Sequence, residues 1–155
     1  MGRTFKLWGP VILWMGIIFM VSTDLGSADH TSRIIEPVLR WFYPAISAET
    51  INLAHTLIRK CGHFTEYAIL ALLVLRTAQL PAKTFALSRD FRAAGIAWVI
   101  TALYASTDEF HQSFVPARTA SIYDVLIDSS GAFTALGVAL LWRYLRAKSS
   151  ASNRH

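Results

Sequence analysis

Residues 51–75 read INLAHTLIRKCGHFTEYAILALLVL, and the reading of this stretch decides the fold. It is long enough to cross a hydrocarbon core, which takes about 20 predominantly apolar residues. Yet Arg59, Lys60, His63 and Glu66 interrupt it. Their spacing resolves the conflict. Arg59 and Lys60 lie four and three residues before His63, and Glu66 and Tyr67 lie three and four after it. Helical neighbours at those separations share a face. The stretch therefore predicts a membrane-crossing helix whose charged residues turn inward.

Working outward, three more apolar runs follow the same rule. Leu7 to Val21 is preceded by Arg3 and Lys6, Phe91 to Phe110 closes on Asp108-Glu109, and Ile122 to Trp142 carries Asp124 and Asp128 near its start. Lipid leaves unpaired backbone groups unsatisfied, which excludes irregular sheet. The expectation is an all-α membrane protein: one domain over 1–155, with four transmembrane helices at about 7–22, 51–76, 91–110 and 121–143. The first run also fits a signal peptide, with Gly26-Ser27-Ala28 as a weak cleavage site. An uncleaved span is favoured. Between the first two spans, Ile34, Ile35, Val38, Leu39, Trp41 and Phe42 recur at helical spacing, with Trp41 and Tyr43 at one end. That predicts a short amphipathic helix in the interface, where aromatic rings sit.

Composition agrees. Of 155 residues 54% are hydrophobic and only 16% charged, against about 25% charged in soluble domains. The net charge of +5 does not indicate nucleic acid, because the basic residues flank apolar runs. That placement orients membrane helices. Arg3 and Lys6, then Arg76, Lys83, Arg89 and Arg92, then Arg143, Arg146, Lys148 and Arg154 mark three cytoplasmic segments. The other connections hold only Arg33, Arg40 and Arg118. Both termini are expected inside, with 77–90 a cytoplasmic loop, 144–155 a cytoplasmic tail and 23–50 non-cytoplasmic. Asp90 is the lone acid on the inner side. Cys61, the single cysteine, reads as a small apolar residue within a helix.

In that topology the polar residues converge in the outer half of the membrane. Lys60, His63, Glu66 and Tyr67 come from the second span, Asp108, Glu109 and Gln112 from the end of the third, and Asp124 and Asp128 from the start of the fourth. An ionisable group near the bilayer centre costs about 2.5–3.5 kcal/mol on insertion scales, so these groups are expected to meet one another or water. A purely structural salt-bridge network is the competing reading, although buried ion pairs are poor sources of net stability. His30, His55 and His111 read as interfacial polar groups. Gly131 and Gly137, with Ala132 and Ala135 between them, read as a close-packing surface, and Pro116 ends the third span.

At these residues the chain resembles the VanZ-like family of small bacterial membrane proteins, named after a teicoplanin-resistance protein. The matching pieces are Ser22-Thr23-Asp24, Lys60-Cys61-Gly62-His63-Phe64-Thr65-Glu66-Tyr67, and Asp108-Glu109-Phe110-His111-Gln112-Ser113-Phe114-Val115-Pro116-Ala117-Arg118, followed by Asp124 and Gly131. The resemblance runs from about Ser22 to Gly137. Arg59 stands where the family often has Asp, and Asp128 where it often has Asn. The resemblance implies a multi-span protein, associated in some members with glycopeptide resistance, and implies no particular reaction.

The favoured expectation is a pocket that binds or modifies an amphiphilic envelope molecule, a lipid or a lipid-linked precursor. His63, Glu66, Asp108, Glu109 and Asp124 are the candidate proton-transfer residues. Asp24, Lys60, Tyr67, Gln112, Arg118 and Asp128 are the candidate ligand-binding residues, with Lys60 and Arg118 suited to an anionic head group. Whether the pocket turns its ligand over is left open. The carboxylates with His63 would suit Mg or Mn better than Zn, but no spacing is diagnostic of a metal. The alternatives are a small proton- or ion-linked transporter, for which a homo-oligomer would have to form the path, and a structural scaffold.

Overall fold

A computed structural model describes residues 2–23, 28–79, 85–115 and 120–152. Among them there is no strand. Five helices follow in order: α1 (Gly2–Ser22), α2 (Ala28–Phe42), α3 (Ala48–Gln79), α4 (Leu87–Gln112) and α5 (Ile122–Ser152). At 1.5 Å rise per residue the four long helices run about 31, 48, 39 and 46 Å.

The helix ends follow from local chemistry. Ser47 precedes α3, and its Oγ accepts the Thr50 N–H at 3.2 Å, satisfying one of the free donors of a first turn. Ser121 caps α5 in the same way, accepting the Tyr123 N–H at 3.2 Å. At the start of α4, Asp90 reaches back to accept the Ala86 N–H at 2.8 Å, the part an acidic residue plays in a capping box. The end of α4 tightens into a turn in which Phe114 and Val115 donate to His111 and Gln112 carbonyls.

The long helices alternate in direction. Tyr104 Oη donates to the Met15 carbonyl and Ser22 Oγ to Asp108, so α1 and α4 run parallel. Lys60 faces Asp124 and His63 faces Asp128, so α3 and α5 also run parallel. Arg143 near the end of α5 meets Asp90 at the start of α4, so that pair is antiparallel. α3 is the hub, packing against every other helix, whereas α2 packs on α3 alone. The core is thin: Val11, Ile18, Tyr67, Leu70, Ala71, Val74, Ala97, Ala105, Ala132 and Leu136 fill the interior. Small residues on α4 and α5 let the helices approach. At Gly131 the α5 backbone comes so near α3 that an added Cβ would overlap the Phe64 carbonyl oxygen. Gly137 differs from the expectation. An added Cβ there would meet no atom within 4 Å, because Gly137 lines an open groove between α4 and α5.

The outer surface is apolar. Leu13, Phe19, Leu57, Leu72, Ile96, Leu103, Phe110, Leu126, Phe133, Val138 and Leu141 are all exposed, far beyond the patch a soluble monomer carries. Two helices are long and apolar enough to cross a membrane, at Phe5–Ser22 and Ile122–Ser150, and most of each faces outward. α3 and α4 do not meet that measure. Their charged residues lower the average, although Asp90, Asp108 and Glu109 are buried inside the bundle.

Candidate functional site

The polar residues expected to meet do gather at one end of the bundle, in three linked groups. The first is centred on Asp108. Its Oδ2 accepts from Ser22 Oγ at 2.7 Å, from Tyr67 Oη at 3.1 Å and from Gln112 Nε2 at 3.1 Å. These bonds join α1, α3 and α4 around one carboxylate, while Asp108 Oδ1 is buried without a hydrogen-bond partner among the described residues. The second group is an ion pair at the mouth, with Lys60 Nζ 3.7 Å from Asp124 Oδ1.

The third group is the deepest. His63 on α3, Glu109 on α4 and Asp128 on α5 each turn a nitrogen or oxygen toward a common point, all within 4.8 Å of one another. Asp128 is fully buried and Glu109 nearly so. Glu109 Oε2 accepts the Ser121 N–H at 2.9 Å, which fixes the carboxylate across the α4–α5 turn. Among the described residues its Oε1 has no hydrogen-bond partner, nor has either oxygen of Asp128. His63 Nδ1 lies 3.4 Å from Asp128 Oδ1, an ion-pair separation too long for a charge-assisted hydrogen bond. Gly131 makes this geometry attainable. One turn from Asp128, it lets the α5 backbone close on Phe64, the neighbour of His63.

Of the remaining sequence candidates, Glu66 is half-buried one turn further along α3, and its carboxylate is not one of the three converging donors. Its carbonyl accepts the Trp14 indole N–H at 2.9 Å. Asp24 and Arg118 lie outside the described residues. Two participants were not anticipated. Ser22 was legible only as the residue before Thr23-Asp24, and nothing in its spacing announced a bond across 86 positions. Asp90 was read for orientation alone, yet it is fully buried at the opposite end. Arg143 holds its Oδ1 with Nε and a terminal nitrogen, both at 2.9 Å, while Arg89 and the Ala86 N–H contact Oδ2. Near that end an apolar groove of about 610 Å³ runs between α4 and α5, lined by Phe85, Phe91, Trp98, Phe133, Leu140 and Tyr144 among others.

The described residues form an all-helical bundle that is apolar outside and has two helices of membrane-crossing length and hydropathy, features that point to a membrane protein. A family model described as VanZ/LLP1 matches residues 7–143, and the chain belongs to that family. No curated protein and no solved structure shows significant similarity to it.

Proposed function

We propose that α1, α3, α4 and α5 all cross the membrane, with both termini cytoplasmic and α2 lying in the outer interface. In that setting the polar end of the bundle binds or modifies an amphiphilic envelope molecule, a lipid or a lipid-linked precursor. One observation carries the reading: ionisable side chains from three helices converge at a single end of a bundle whose outer surface suits acyl chains. Each long helix exceeds the about 20 residues a span requires. The inward charges explain why α3 and α4 are less apolar on average. Lys60 at the mouth and Arg118 in the adjoining connection supply positive charge to a phosphate or carboxylate head group. Asp108 Oδ1, His63 and Glu109 supply groups able to take or give a proton.

A transporter is less well supported. Between the Asp108 end and the Asp90 end the interior is filled by Leu70, Ala71, Val74, Ala97 and Leu136, with Thr101 the buried polar side chain among them. Native mass spectrometry of the gently solubilised protein tests the proposal, with wild type beside Lys60→Ala and Arg118→Ala. The expected result is a co-purifying anionic lipid or lipid-linked precursor that both variants lose. Identical lipid profiles in all three would remove the head-group reading. Reporter fusions after Gln79 and at the C-terminus test the topology, and both are expected on the cytoplasmic side.

A further inference from the structure

We propose that His63, Glu109 and Asp128 form a binding site for a divalent transition-metal ion, with Mn²⁺ or Zn²⁺ as the chemical class. The site stands whether or not an amphiphile binds beside it.

Asp124 faces Lys60, and Asp108 is engaged by Ser22, Tyr67 and Gln112. That leaves a smaller donor set than the sequence suggested: one imidazole and two carboxylates, each from a different helix. Donors about 2.0–2.2 Å from a shared ion lie roughly 3–3.6 Å apart when adjacent, in octahedral or tetrahedral geometry, and about 4.0–4.4 Å when opposite. The three donors lie within 4.8 Å of one another, and His63 Nδ1 and Asp128 Oδ1 at 3.4 Å already match an adjacent pair.

Burial supplies the second observation. Asp128 is 0% exposed, and neither of its oxygens receives a hydrogen bond from the described residues. An uncompensated buried carboxylate is strongly unfavourable. A protonated His63 would offset it best by donating at about 2.7–2.9 Å, but the 3.4 Å separation falls short of that. Glu109 offers one oxygen to the same cluster, and among the described residues its Oε1 has no hydrogen-bond partner while Ser121 holds Oε2. Such outer bonds orient metal ligands. A mixed nitrogen and oxygen set favours Mn²⁺ or Zn²⁺ over Mg²⁺ or Ca²⁺, which prefer oxygen alone. Three protein ligands leave coordination positions for water or an oxygen of a bound molecule.

The test is direct. Full-length protein in mild detergent is stripped with chelator, re-equilibrated separately with Mn²⁺, Zn²⁺ and Mg²⁺, and desalted for elemental analysis. Wild type is expected to retain roughly one equivalent of Mn²⁺ or Zn²⁺, and His63→Gln, Glu109→Gln and Asp128→Asn to bind at least about tenfold more weakly. Gly137→Ala, away from the site and with room for the added methyl group, should bind as wild type does. Wild type that retains neither Mn²⁺ nor Zn²⁺ overturns the site, an outcome that needs no variant to fold. Retention undiminished in the three variants places the ion elsewhere and overturns it too, as does retention of Mg²⁺ alone. A lipid result in mass spectrometry leaves each of these readouts unchanged, so the two proposals fail separately.

Discussion

Two fully buried aspartates occupy opposite ends of this bundle, and their surroundings differ. Asp90 has two nitrogens of Arg143 on one oxygen and Arg89 with the Ala86 N–H on the other. Asp128 has no hydrogen bond from the described residues on either oxygen, and faces an imidazole and a second carboxylate. The first arrangement saturates a charge and closes α4 onto α5. The second keeps a charge in reserve, which stability alone does not call for. The contrast separates a clasp from a site within one chain.

The largest expected effect tests the clasp. Arg143→Ala strips Asp90 of its strongest partner and should destabilise the bundle by about 3 kcal/mol or more, read as a lower thermal midpoint of the detergent-solubilised protein. If stability is unchanged, Asp90 is no clasp and the contrast collapses. Next comes the contact beside the site. Gly131→Ala drives a methyl group into the Phe64 carbonyl and should cost about 1–3 kcal/mol by forcing α5 from α3. It should also disturb the site, so metal retention should fall with it.

Tyr67→Phe removes one of the three donors to Asp108 Oδ2 and should cost about 1–2 kcal/mol, since the acceptor is a carboxylate. Asp128→Asn sharpens the comparison most. Metal-stripped, it should match wild type in stability to within about 1 kcal/mol or exceed it, because a neutral amide relieves a buried charge. With Mn²⁺ at about a hundred times its dissociation constant, wild type alone should gain about 2.7 kcal/mol. A metal-free loss as large as that of Arg143→Ala would make Asp128 a second clasp. The smallest effect belongs to Gly137→Ala, which enters open space and should shift stability by less than about 0.5 kcal/mol.

Much of this was present in the chain before any fold. The helical character of 51–75, the shared face of Lys60, His63 and Tyr67, and the gathering of acids at the ends of two apolar runs follow from a period of 3.6 residues per turn. Local periodicity specifies which side chains stand together on one helix, so the candidate residues could be named. It says nothing of distance between helices. Hence Ser22 was missed as a donor to Asp108, Asp90 was read as an orientation signal rather than the partner of Arg143, and Gly131 and Gly137 looked alike although one abuts Phe64 and the other lines an open groove.

The sequence by itself determined the helices, the apolar exterior and the polar end, because these depend on side-chain chemistry repeated at a fixed pitch. Only the tertiary structure decided how the acids divide: Asp108 taken by three donors, Asp124 facing Lys60, Asp90 clasped, and Asp128 left with His63 and Glu109. That division depends on the rotation and separation of whole helices. Those are set by packing at a few points such as Gly131, where the absence of a single Cβ brings two backbones together.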